Sequence, residues 1–67
     1  MKLWVNGEMT DVPQNVTTVA ELLQFFGMEG KIAVVEVNRN ILSKSDHADS
    51  ALAEGDRIEI VHFVGGG

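Results

Sequence analysis

Sixty-seven residues with ten acidic against five basic side chains, a formal net charge of −5 and no cysteine describe one small acidic domain. A chain this short buries only about 60% of the surface its unfolded form exposes, and without cysteine it has no disulfide, no thiolate metal site and no thiol nucleophile of its own. The charge disfavours nucleic acid and anionic lipid surfaces and favours a partner with a basic face; with no signal-like apolar start and no stretch long enough to span a bilayer, a cytoplasmic protein is the expectation.

Lys2-Leu3-Trp4-Val5-Asn6 alternates, with Leu3 and Val5 on one side and Lys2, Trp4 and Asn6 on the other, the period-two mark of a half-buried strand. Asn6-Gly7 is the pair most favoured in a type I′ hairpin turn, where both central residues need positive φ. A second strand through Met9–Val12 follows, and because Pro13 cannot donate to a sheet ladder the strand is either an edge or ends near there. Thr18-Val19-Ala20-Glu21 has the form of a capping box and predicts a helix start. Val19, Leu22, Leu23 and Phe26 then form one apolar stripe, with Phe25 beside it, and Gly27 suits the left-handed residue that closes a helix.

Ile32–Val37 is a β-branched run broken by Glu36 and reads as a strand with Ala33, Val35 and Val37 facing the helix. Asn38-Arg39-Asn40 turns the chain back into a short Ile41-Leu42 strand. Ser43–Ser50 is polar and predicts an irregular turn of helix anchored by Ala48, Ala51 and Leu52. Glu54-Gly55-Asp56 is a further turn signal. Arg57–Val64 reads as the last strand, with Ile58 and Ile60 on the buried face and Glu59, Val61 and Phe63 on the other. The order strand, strand, helix, strand, strand, strand predicts one α+β domain over residues 1–64, a single helix on one face of a mixed sheet of about five strands. The first and last strands are expected side by side, joined by a right-handed crossover.

The last strand runs into Val64-Gly65-Gly66-Gly67. Three glycines carry no side chain for packing, and a partner can thread them through a channel too narrow for other residues. Their chemical handle is the α-carboxylate of Gly67, with an ordinary pKa of roughly 3.5, ionised at neutral pH and a poor electrophile until something activates it. Two readings stand side by side: residues 65–67 as a presented tail, or as a frayed terminus or expression remnant. No nucleophile, base and orienting group suggest themselves as a set. His47, in Ser45-Asp46-His47-Ala48-Asp49, reads as part of a solvated loop rather than a metal ligand. His62 reads as a partly buried strand-end histidine, and Asp56 as a turn former. The face opposite the helix is expected to carry Trp4, Val61 and Phe63 as a clustered apolar docking centre, with Glu59 steering a basic partner.

The residues Val5-Asn6-Gly7-Glu8, Thr18, Leu22-Leu23, Ala33-Val34-Val35-Glu36-Val37-Asn38, Gly55-Asp56-Arg57-Ile58-Glu59-Ile60-Val61 and the closing Val64-Gly65-Gly66-Gly67 together resemble the ThiS family, sulfur carriers of thiamin biosynthesis with a ubiquitin-like β-grasp fold. Lys44 departs from the arginine after a proline that many relatives carry, keeping the charge but not the planar fork. The resemblance implies that a ThiF-type activating enzyme uses ATP to adenylate Gly67, and that sulfur drawn from cysteine, through a desulfurase system or its equivalent, replaces an oxygen to give a thiocarboxylate. A ThiG-type thiazole synthase would then take the sulfur. The carrier would be a substrate rather than a catalyst, with no bound cofactor or metal, and Val64, Gly65 and Gly66 would lie in a partner's channel. Three other readings remain open at this level: the small subunit of molybdopterin synthase, a ubiquitin-like protein modifier, and a β-grasp interaction module with incidental glycines.

Overall fold

The computed structural model describes residues 1–28 and 31–62. Asn6 and Gly7 take φ of +50° and +82°, the two positive values a type I′ turn demands, and so fold β1 (Lys2–Val5) against β2 (Glu8–Asp11). The pair is antiparallel, with Trp4 opposite Met9 and Leu3 opposite Thr10. A second tight turn at Asn38 and Arg39, both at positive φ, joins β3 (Ala33–Val37) to β4 (Asn40–Leu42). The last strand, β5 (Arg57–His62), lies in the middle of a five-stranded sheet of order β2-β1-β5-β3-β4. It pairs parallel with β1 and antiparallel with β3, which gives the mixed sheet and the β-grasp arrangement expected from the sequence.

The helix α1 spans Val19–Phe25, seven residues that would be marginal alone in water. Its free N-terminal amides are all met. Glu21 N–H donates to the Thr18 hydroxyl, Val19 N–H to the Ser50 carbonyl and Ala20 N–H to the His47 carbonyl. The Glu21 carboxylate reaches back to the Thr18 and Thr17 amides and to the Thr17 hydroxyl, completing the capping box. These bonds, led by that of the Thr17 hydroxyl, hold the Glu21 carboxyl below its ordinary pKa. At the other end Gly27 takes φ of +73°, as a closing glycine should.

The core is one layer between helix and sheet, made by Leu3, Val12, Val16, Val19, Leu22, Val35, Ile58 and Ile60. Leu23, Phe26, Ala33 and Val37 pack partly buried against it. Of the three expected anchors of the stretch after β4, Leu52 holds and the two alanines do not. A short 3-10 turn forms at Lys44–Asp46, but Ala48 and Ala51 are exposed. The residues that tie the stretch down are Leu52, which packs on the core, and His47, which is 8% exposed. Polar composition predicts a solvated loop around His47; instead the Ala20 amide of α1, distant in sequence, donates to the His47 carbonyl and ties this stretch to the helix.

Candidate functional site

The strand that leads to the C-terminus is held on both edges. On the β1 side, Trp4 N–H donates to Asp56 O and Asn6 N–H to Ile58 O, each at 2.9 Å. There β1 turns away, and the carboxamide of Asn6 takes its place: Oδ1 accepts from Ile60 N–H at 2.8 Å and Nδ2 donates to Ile60 O at 3.2 Å. A side chain thus imitates one more strand residue. On the β3 side Asn38 does similar work at the start of β5, its Oδ1 accepting from Arg57 N–H at 3.0 Å and its Nδ2 donating to Asp56 Oδ1 at 3.1 Å. Asp56 in turn accepts from Ala53 N–H at 2.9 Å, so it closes the turn as expected.

The described part of β5 ends at His62, paired with Ala33 of β3. His62 shares the inner face with Ile58 and Ile60, but it is exposed rather than partly buried, because it lies at the strand end beyond the residues that pack beneath the helix. The expected site residues Phe63, Val64, Gly65, Gly66 and Gly67 lie outside the described residues.

Trp4, Glu59 and Val61 all occupy the sheet face opposite the helix and are exposed, but Trp4 and Val61 do not cluster. The parallel register sets Trp4 beside Arg57, four residues before Val61, or about 13 Å along the strand at ~3.3 Å per residue. Trp4 instead faces Met9 across β1 and β2, and Val61 faces Val34 across β5 and β3. Alternation assigns a face but not the stagger between strands, and the stagger separates the pair. Between the two apolar spots Glu59 lies directly opposite Glu36. Two like charges in that position oppose each other, and among the described residues neither has an ion-pair partner within 4 Å. Glu36, visible in the sequence as the break in a β-branched run, is the member of this face that sequence reasoning missed.

On the helix side a half-open cavity of about 430 Å³ lies between α1 and the 3-10 turn, walled by Leu23, Met28, Ile32 and Ala33 and bordered by Lys31 and Lys44. His47 also lines it, and its Nε2 is buried with no hydrogen-bond partner among the described residues. The described residues hold no group of three His, Cys, Asp or Glu side chains placed to share a metal ion, and none of their helices is long and apolar enough to cross a membrane.

The ThiS family model matches residues 3–67. The sulfur carrier protein ThiS of Bacillus subtilis is 40% identical over 65 residues, spanning 97% of this chain and 98% of that one. A thiazole synthase of Paramagnetospirillum magneticum is 42% identical over 67 residues, which is 100% of this chain but 20% of that protein. The crystal structure of the thiamine biosynthesis protein ThiS from Geobacter metallireducens superposes with a TM-score of 0.82 at 30% identity, covering 100% of both chains. Fold, length and sequence agree from the first strand onward, and the chain belongs to the ThiS family.

Proposed function

We propose that the chain is a sulfur carrier for thiazole formation in thiamin biosynthesis, with the Gly67 carboxylate as the atom group that carries the sulfur. The observation that supports this best is the family match, which runs through the closing glycines and spans nearly all of a sulfur carrier of similar length. The chemistry agrees with the sequence. A carboxylate is a poor electrophile, so an activating enzyme of the ThiF type would join it to the AMP moiety of ATP, with pyrophosphate leaving. A sulfur nucleophile derived from cysteine then attacks that acyl carbon and AMP departs. A glycine at the reacting end leaves the carbon unshielded, and Gly65 and Gly66 let a narrow channel close around the backbone.

Thiazole synthase is the proposed acceptor, a reading supported by thiazole synthases in which a region similar to this whole chain forms a fifth of the protein. The outer sheet face, with Trp4, Glu59 and Val61 in two apolar spots flanking the Glu36 and Glu59 pair, is the proposed docking surface; Phe63, expected to join it, lies outside the described residues. A cytoplasmic setting, where ATP and the activating enzyme would be met, belongs to the same reading. The test is intact-mass analysis after incubation with the activating enzyme, ATP and a sulfur source. One oxygen exchanged for sulfur, absent when Gly67 is deleted, is the expected result; an unmodified chain under conditions that modify another ThiS protein would overturn it.

A further inference from the structure

The cavity between α1 and the 3-10 turn has the chemistry of a receptor, and nothing in the sulfur-carrier reading uses it. Its walls are apolar, yet two of the five basic residues of a chain with net charge −5 stand at its border. Lys31 and Lys44 are exposed, and among the described residues neither has an ion-pair partner within 4 Å. The position also matters: Ala33, which lines the cavity, is the residue paired with His62 at the described end of β5. A protein that holds the C-terminal residues therefore works next to this opening.

We propose that the cavity seats an acidic anchor of thiazole synthase, a Leu- or Phe-sized side chain with an Asp or Glu beside it. The apolar side chain fills the space against Leu23, Met28 and Ile32, and the carboxylate pairs with Lys31 and Lys44. The proposal rests on the sulfur-carrier reading. The choice of thiazole synthase follows from the relatives in which a region like this chain is continuous with that enzyme. There the covalent link supplies a high effective concentration, and a separate carrier must replace it with contacts of its own. The outer face, carrying Glu36 and Glu59, suits a basic surface; the cavity, carrying two lysines, suits an acidic one. Together they would fix the orientation of the carrier on the enzyme, since reversing it would set like charges against each other.

The experiment uses the full-length chain and purified thiazole synthase, with affinity measured by calorimetry at low and high salt. Two variants probe the site: the charge reversal Lys31→Glu with Lys44→Glu, and Ala48→Phe, which places a ring at an exposed position lining the cavity. Each is checked for an unchanged circular dichroism spectrum and for thiocarboxylate formation by intact mass. Both variants are expected to bind thiazole synthase at least about tenfold more weakly at low salt, and the deficit of the charge reversal should shrink as salt screens it. Thiocarboxylate formation should stay at the parent rate. Parent-like affinity in folded variants would overturn the proposal, as would a loss confined to activation at Gly67, which would assign the cavity to the activating enzyme. A parent chain that never acquires sulfur would overturn the carrier reading itself and this proposal with it.

Discussion

Replacing Asn6 separates the two things this residue does. Its φ of +50° closes the hairpin, and its carboxamide supplies both hydrogen bonds to the backbone of Ile60. Asn6→Gly keeps the turn geometry at little cost and removes only the carboxamide. Ile60 is 5% exposed, and its amide and carbonyl would lose their partners on the β1 side. Orphaned backbone groups cost about 1–3 kcal/mol each when fully buried; here the bonds are part-buried, so about 2 kcal/mol for the pair is the expected loss. In a domain of this size each kcal/mol moves the midpoint by roughly 4–8 °C, so the melt should fall by about 8–16 °C. Asn6→Ala should fall further, by about 1 kcal/mol, because alanine resists positive φ. Thermal unfolding followed by circular dichroism gives the midpoints, and amide exchange at Ile60 reports the bond directly. If Asn6→Gly melts within about 2 °C of the parent with Ile60 equally protected, the carboxamide does not clamp β5.

The remaining predictions concern charge. The Glu21 carboxyl titrates below its ordinary value of 4.5, with the Thr17 hydroxyl as the largest cause. A depressed folded pKa gives stability that is present above the unfolded value and is lost as pH falls through the folded one, so Glu21→Gln should lose stability at neutral pH and show a flatter acid limb in urea melts; an unchanged limb would refute the linkage. Glu36→Gln removes one of two opposed charges on the outer face and should stabilise the fold by about 0.5 kcal/mol, yet slow association with a basic-faced partner in stopped-flow mixing. Faster association would exclude that face as a surface for a basic partner.

Much of the fold was legible because the signals were local. Asn6-Gly7, the Thr18 and Glu21 capping box, Gly27 and the alternation of β5 each carry their physical cause within a few residues, and each appears as expected. The failures share a different cause. His47 sits in a polar stretch yet is buried, and its carbonyl accepts from the Ala20 amide of a helix that begins almost thirty residues earlier. Val16, to which the sequence reading assigns no place, lies among polar neighbours yet is 7% exposed in the core. Trp4 and Val61 were assigned the right face and the wrong proximity, because alternation is silent about register. The same register, once known, brings Glu36 opposite Glu59. Composition therefore misjudged the residues whose surroundings are set by chain pairing rather than by their neighbours in sequence.

The clamp on β5 bears on how a partner can use the residues beyond His62. Extending a segment into a channel fixes its backbone, at a cost of about 1–2 kcal/mol per residue in conformational entropy. That cost counts every residue not already ordered before binding. If β5 peeled back to Ile58, four more residues would have to be set in place again, and the penalty would rise by about 4–8 kcal/mol, enough to abolish a micromolar association. The Asn6 carboxamide at Ile60 on one edge and the β3 ladder through His62 on the other oppose such fraying. In the carrier proposed here, a strand gripped on both edges would add no ordering cost of its own when a partner captures the chain end, so Asn6→Gly should weaken that capture as well as lower the melting midpoint.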